Sequence, residues 1–509
     1  HPPGVPISDQ AMRALLLVLL SLASALAAYP CYRVVDIASS NIKQHSRDPD
    51  WKPGQKLALE VTGIVPLSDN RLAVTIRKGE IWTLHDVYAE DPSKITYTRF
   101  ASGLDEPLGL LADGQDLLTV QRSELTRLRD TNRDNIADEY LTVVSGWNVS
   151  GAYHGYAYGP ARDRDGNFWV TLNLDLGKLS DNDKPWRGWA LRISPDGNTI
   201  TPMAAGLRSP CGLGSNAAGD IFATDQQGNW IPTNTLLHLR EGAFFGNPDG
   251  MAPASSPGSP VAPLTDGVDY AGKSFPEALT FLPQLRAPAV WFPYNKIGQS
   301  RTGIILDDTG GKFGPFKGQF FVGEFTQSKI GRVFLEKIDG EYQGACFPFF
   351  EGFPAAVMSL AFGRDGSLFV GMTNRGWSSV GGGSYGLQRL VWSGNLPFEA
   401  AEMRAKPEGF ELVFTKPVDP VTASDPNSYS IRSYTYRLHQ NYGSDEILTQ
   451  AVPIVAATVS EDRRTVLLTC SELRPFYVHE LHYSGVCDEN GGPPRHDRAY
   501  YTLNRIPRR

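Results

Sequence analysis

Three short stretches of this chain of 509 residues combine residue types that chemistry can use. The first, Tyr153 to Asn167, carries His154 ahead of Gly159-Pro160. A neutral imidazole in a loop can accept a hydroxyl proton near pH 7; a histidine that only caps a turn cannot be told from it by type alone. The second holds Arg208-Ser209-Pro210 and then Gln227-Gly228-Asn229. The Arg208 guanidinium offers a fork of donors to a carboxylate or a developing oxyanion. Gly228 lets backbone carbonyls come close to a ligand or a hard cation, although ordinary loop packing uses the same residues. The third runs from Asp130 to Glu139. It puts side-chain oxygens of Asp130, Asn132, Asp134 and Asp138 at loop positions 1, 3, 5 and 9. Alternate residues of such a loop converge on calcium, and this spacing predicts a structural calcium rather than a solvated acidic turn. Asn135 stands where glycine is usual and tolerates the left-handed region. Leu141 takes the twelfth place, so Glu139 is left to supply a bidentate carboxylate.

These loops need a scaffold. From about Leu57 to Trp392, apolar strands follow tight turns again and again. Leu72 to Ile76 follows Asp69-Asn70, Leu117 to Val120 follows Asp113-Gly114, and Phe168 to Leu172 follows Asp165-Gly166. Ile221 to Thr224 follows Gly219-Asp220, and Leu368 to Gly371 follows Asp365-Gly366. Asp-Gly suits hairpin turns because both central positions accept positive φ. Recurrence every several tens of residues without a long amphipathic helix predicts an all-β fold, a β-propeller rather than two packed sandwiches. At roughly 45–55 residues per blade the stretch holds six or seven blades, and six is the expectation. Met251 to Asp266, rich in Pro, Ala and Ser, reads as a long surface loop, and the Gly/Ser-rich run Gly376 to Gly386 as another. Strand patterns at Phe410 to Phe414, Thr465 to Thr469 and Leu481 to Val486 predict a C-terminal immunoglobulin-like β-sandwich. The expected division is 12–28 signal peptide, 29–56 N-terminal extension, 57–395 propeller and 396–509 sandwich.

The signal peptide rests on order. Met12 is the expected start, Arg13 precedes the apolar run Ala14 to Leu20, and Ala25-Leu26-Ala27-Ala28 ends it. The run is too short for a stable membrane span, so the expected location is periplasmic or secreted. Export permits disulfides, and Cys470 with Cys487 is the expected pair among five cysteines. A net charge of −7 without a long basic run excludes duplex nucleic acid as a partner.

Taken in order, these pieces resemble the soluble pyrroloquinoline-quinone (PQQ) glucose and sorbosone dehydrogenases, a family of six-bladed β-propellers. Ser68 to Gly79 is similar to the family's opening strand and turn, and Phe100 to Leu104 with Pro107 to Leu110 to its next blade. The His154 loop resembles its His-x-x-x-Gly-Pro-Asp segment, Arg208-Ser209-Pro210 its Arg-Asn-Pro, and Gln227-Gly228-Asn229 its Gln-Gly-Pro. The resemblance covers Leu57 to Gly376. It implies His154 as general base, Arg208 at the reacting centre, and Arg77, Gln227 and Lys296 as cofactor contacts. It also implies calcium held beside the quinone by backbone at Gly228 and Asn229.

The departures narrow this. Ile76 replaces a glutamate, Tyr153 an aspartate and Ser209 an asparagine. The family's Arg-x-Arg, which pairs with the PQQ carboxylates, falls at Ala356-Val357-Met358, which has no arginine. Losing two cationic forks weakens the hold on a triply anionic cofactor. The leading expectation is a PQQ- and calcium-dependent sugar or alcohol dehydrogenase-like protein, acting on a small carbohydrate or alcohol and passing electrons to an external acceptor. A calcium-dependent lactonase-like hydrolase and a non-catalytic carbohydrate- or protein-binding propeller are the alternatives.

Overall fold

The computed structural model describes residues 31–39, 44–47, 52, 56–147, 149, 151–176, 185–264 and 270–508. The expected signal peptide, 12–28, lies outside them. Six sheets, each built on four antiparallel strands, follow one another along the chain, and their first strands pack around an axis. The first strand of the sixth sheet, Val357–Phe362, packs against that of the first, Val61–Pro66, and so closes a six-bladed propeller. A C-terminal β-sandwich follows. Among the described residues no helix is long and apolar enough to cross a membrane.

The second strand of each blade explains why the pattern is strong. Leu72–Ile76, Asp116–Val120, Phe168–Leu172, Ile221–Asp225, Phe320–Glu324 and Leu368–Thr373 are buried at every position. Each lies between neighbouring blades, so both faces are covered and the sequence is apolar without alternation. The first strands carry a different device. Register shifts against the second strand recur at Val61/Gly63, Tyr158/Ala161, Pro210/Gly212, Arg301/Ile304 and Val357/Ser359. A bulge re-aims the extra residue. Here it turns Thr62, Cys211, Thr302 and Met358 towards one mouth of the ring. Axial crowding also dictates residue type. A Cβ on Gly212 would sit 2.0 Å from the Thr302 carbonyl oxygen.

Two connections tie the molecule together. Tyr32–Ala38 pairs antiparallel with Tyr385–Trp392, so a segment upstream of blade 1 supplies the outer strand of blade 6. The sheet of blade 5 does not stop at its outer strand, Glu341–Glu351. It continues through Arg498–Leu503, Tyr477–His482, Ser430–Thr435 and Ile447–Ala451 as one eight-stranded sheet. The second sandwich sheet orders Ala400–Lys406, Gly409–Phe414, Thr465–Cys470 and Ile454–Val459. The junction is pinned by Arg332 of blade 5, fully buried. It donates to Gln319 (2.9 Å) and the Ala401 carbonyl (2.8 Å) and pairs with Glu399 at 3.4 Å.

Three expectations change. All five cysteines are free: Cys470 lies in the second sandwich sheet, while Cys487 follows the strand Tyr477–His482 of the other. That strand begins and ends earlier than Leu481 to Val486, because Val486 turns back to bond the Tyr483 carbonyl. The Met251–Asp266 stretch is not wholly superficial. Ala254 and Val261 are buried in the largest core cluster.

Candidate functional site

Every blade sends residues to the mouth where the bulges point, and they enclose a pocket of about 610 Å³. Blade 3 presents Tyr153, His154, Tyr156 and Tyr158; blade 4 presents Arg208, Ser209 and Cys211. Arg77 enters from blade 1, and Arg375 with Trp377 follows the strand Leu368–Thr373 of blade 6. Tyr442 reaches in from the sandwich. The floor is apolar: Leu108, Tyr156, Tyr158 and Cys211 form a cluster against which Met358 packs. It separates the pocket from a cavity of about 100 Å³ further down the axis.

The structure brings His154 and Arg208 together in this pocket, although 53 residues lie between them in sequence. His154 is half-buried, and its pKa is lowered by that burial and then by the positive charges of Arg208 and Arg77, with Asp175 opposing. The imidazole is therefore neutral at pH 7 and able to accept a proton. Arg208 is held from below. Buried Asp225 accepts the backbone N–H groups of Arg208 (2.9 Å) and Ser209 (2.7 Å). Burial pushes the Asp225 carboxyl up to about 6 despite these bonds. The Arg208 Nη1 donates to the Gln227 carbonyl at 3.1 Å, while its buried Nε has no hydrogen-bond partner among the described residues. That Nε is packed against Gly228, whose missing side chain leaves room for the guanidinium.

The other guanidinium groups are more committed. Arg77 pairs with Glu106 at 3.3 Å, donates to the Arg375 carbonyl at 2.8 Å and bonds the Tyr156 hydroxyl. Arg375 pairs with Glu60 at 3.2 Å. Gln227 lines the pocket, but its side chain donates to the Pro232 carbonyl. Lys296 stands elsewhere. Its ammonium bonds Glu446 and, at 2.7 Å, Glu480, both in the sandwich, and so joins the two domains instead of facing the pocket. The position has the charge expected of a cofactor contact, but the sandwich carboxylates claim it.

The implied cofactors can be tested against these contacts. The cations that a carboxylate-bearing quinone would meet are Arg208 of blade 4 and, from blades 1 and 6, Arg77 and Arg375. Met358 replaces a cation with a thioether where the resemblance expects one. Calcium at 227–229 does not fit. The Gln227 carbonyl accepts from Arg208, that of Gly228 from Gly443 N–H (3.0 Å) and that of Asn229 from Asn247 (3.2 Å). A calcium ion there would face a guanidinium, which repels it. Gly228 has no side chain for a related reason: a Cβ would sit 2.0 Å from the Arg208 Cζ. The cation that approaches this glycine is Arg208.

The 130–139 turn sits at the outer edge of blade 2, between Glu124–Arg129 and Glu139–Ser145, and none of its residues lines the pocket. Asp130 accepts from the N–H groups of Arg133 (2.7 Å) and Asn135 (2.8 Å). Asp134 accepts from Ile136 N–H (2.9 Å), and Asp138 from Thr131 N–H (2.7 Å) and the Asn132 amide (3.0 Å). The oxygens thus brace the turn itself. Among the described residues no group of three or more His, Cys, Asp or Glu is arranged to hold a metal.

Sequence reasoning missed Asp225, Trp377 and Tyr442. Asp225 reads as the end of a strand. Trp377 had a signal, an aromatic in a Gly/Ser-rich loop. Tyr442 had none, because its reach into the propeller depends on how the sandwich docks.

Comparison with known proteins gives a family match over part of the chain and several structural likenesses. A domain of unknown function (DUF7133) matches residues 67–265. No curated protein matches the chain. The chain is similar to a Thermus thermophilus protein described provisionally as an oxidoreductase (glucose dehydrogenase), with 17% identity and a TM-score of 0.49, over 71% of this chain and 100% of that one. It is similar to the PQQ-bound aldose sugar dehydrogenase of Streptomyces coelicolor at 16% identity and TM-score 0.44, over 70% and 98%. It is also similar to the PQQ domain of the Coprinopsis cinerea pyranose dehydrogenase at 12% identity and TM-score 0.46, over 71% and 95%.

Proposed function

We propose that the mouth pocket is the site of a sugar-dehydrogenase-like reaction, in which a hydroxyl of a small carbohydrate is oxidised. The observation that carries this is the meeting of a neutral His154 with the buried Arg208 guanidinium in one pocket. His154 takes the hydroxyl proton as the carbon gives up hydride. The Arg208 guanidinium donates to the oxygen that gains negative charge. The apolar floor of Leu108, Tyr158 and Met358 excludes water from below. A bound quinone would supply the two-electron acceptor, its carboxylates facing Arg77 and Arg375.

The test uses purified protein, PQQ with or without calcium, and dye reduction across a panel of aldoses and alcohols. Turnover with at least one sugar, independent of calcium at the 227–229 turn, is the expected result. Absence of both quinone binding and turnover overturns the reading. Proton release from a sugar lactone without quinone assigns the same residues to the lactonase-like alternative.

A further inference from the structure

Four aromatic side chains stand around the mouth with much of their surface in solvent: Trp377 is 67% exposed, Tyr442 64%, Tyr153 49% and Tyr294 39%. Exposed apolar rings gathered at one opening mark a ligand surface, because isolated ones would be scattered. They come from four places in the fold: blade 3, the connection after Val290–Phe292, the loop after Leu368–Thr373, and the sandwich.

Two of the rings are held in place. The Tyr442 loop is stitched to the propeller by Gly443 N–H to the Gly228 carbonyl (3.0 Å), Ser444 N–H to the Pro232 carbonyl (2.9 Å) and the Asn229 amide to the Gln440 carbonyl (2.7 Å). The Tyr442 ring lies 5.4 Å from the Arg208 Cζ, and the Tyr153 ring 5.3 Å from that of Arg77. The Tyr153 hydroxyl abuts Gly376, beside Trp377: a Cβ there would be 1.5 Å from it. A ligand meeting such rings loses little affinity to ordering them. Amides and hydroxyls of Gln226, Gln299, Ser300 and Thr326 line the same opening. Flat apolar faces alternating with uncharged donors and acceptors match a pyranose, whose C–H face stacks while its hydroxyl edge hydrogen-bonds. Stacked nucleobases would need a groove of cations to track their phosphates, and beyond the pocket's arginines and His154 the opening is lined by uncharged side chains.

We infer that this rim binds a chain of linked sugar rings, so that the substrate is an oligosaccharide or a polysaccharide end. One ring sits between His154 and Arg208, and the next sits against Tyr442 and Trp377. The inference rests on the mouth pocket being a carbohydrate site. The sandwich is then part of the substrate site, through Tyr442.

The test is calorimetric titration of the full chain with monosaccharides and with gluco-, xylo- and manno-oligosaccharides of increasing length. Tryptophan fluorescence reports Trp377 in parallel. Affinity is expected to rise about tenfold or more from one ring to three in at least one series. Tyr442→Ala and Trp377→Ala should each collapse that gain, and Tyr442→Phe should keep it. The two alanine variants lie in separate loops, so a folding defect in one leaves the other informative. Monosaccharide binding with no dependence on length overturns the extended rim and leaves the pocket reading standing. No binding at any length overturns both.

Discussion

At the scale of single residues, the proposed reaction depends on His154, kept neutral first by burial and then by its cationic neighbours. His154→Ala should lower the turnover number by about 10²–10⁴-fold, with substrate affinity little changed, as measured by steady-state kinetics. The pH profile carries a sharper check. Burial and then Arg208 hold the His154 pKa below its ordinary value, so the acid limb of activity should lie below pH 6.5. Arg208→Gln removes a positive neighbour, the imidazole then keeps its proton to higher pH, and the acid limb should move upward. An unmoved limb would show that the titrating group is not His154. His154 and Arg208 were legible as candidates in the sequence, in the loops of consecutive blades, and the structure places both in one pocket. The fate of Lys296 was not legible. Its side chain is claimed by Glu480 and Glu446, which lie more than a hundred residues later and meet it through domain docking.

At the scale of elements, the sequence shows the second strand of each blade and hides the first. Burial on both faces makes Phe168–Leu172 or Leu368–Thr373 continuous apolar runs after Asp-Gly turns. The first strands, such as Val61–Pro66 and Pro210–Ser215, mix glycine and proline and carry bulges, so neither period shows. Yet these strands aim the pocket residues. Gly212→Ala puts a methyl 2.0 Å from the Thr302 carbonyl and forces two first strands apart. A loss of about 1–3 kcal/mol in thermal or denaturant unfolding is expected. Gly382→Ala, whose Cβ would meet nothing within 4 Å, should leave the midpoint unchanged. The Asp130–Glu139 turn shows the reverse problem: its spacing reads as a cation loop, but its oxygens bond the turn's own N–H groups.

At the scale of the whole molecule, two ion clusters fasten the sandwich to the propeller, and neither could be foreseen from spacing. In one, burial pushes Glu399 up, but the His496 hydrogen bond and charge, with Arg332, bring it below its ordinary value. In the other, bonds from His482 and Lys296 outweigh burial and bring Glu480 down to about 2. Both folded values lie below the unfolded ones. Their contribution is therefore present above about pH 4.5 and lost as pH falls from there towards 2. Chemical denaturation at pH 7 and pH 3 should show the loss, and Glu480→Gln should flatten that part of the curve. Arg332→Ala leaves Glu399 buried without its arginine and should cost about 3–5 kcal/mol. The closure of the ring has a consequence in time. Asp36 and Gln388, 352 residues apart, bond across the last blade. A strand synthesised early must wait for its partner, and until then Tyr32–Ala38 is an unpaired strand that any other sheet edge can claim. Ring closure, the step of highest contact order, is expected to be the slow step of folding, which stopped-flow refolding with and without residues 31–39 would check. The same latch predicts exchange of Tyr32–Ala38 between two copies at high concentration, read as a dimer by size-exclusion chromatography.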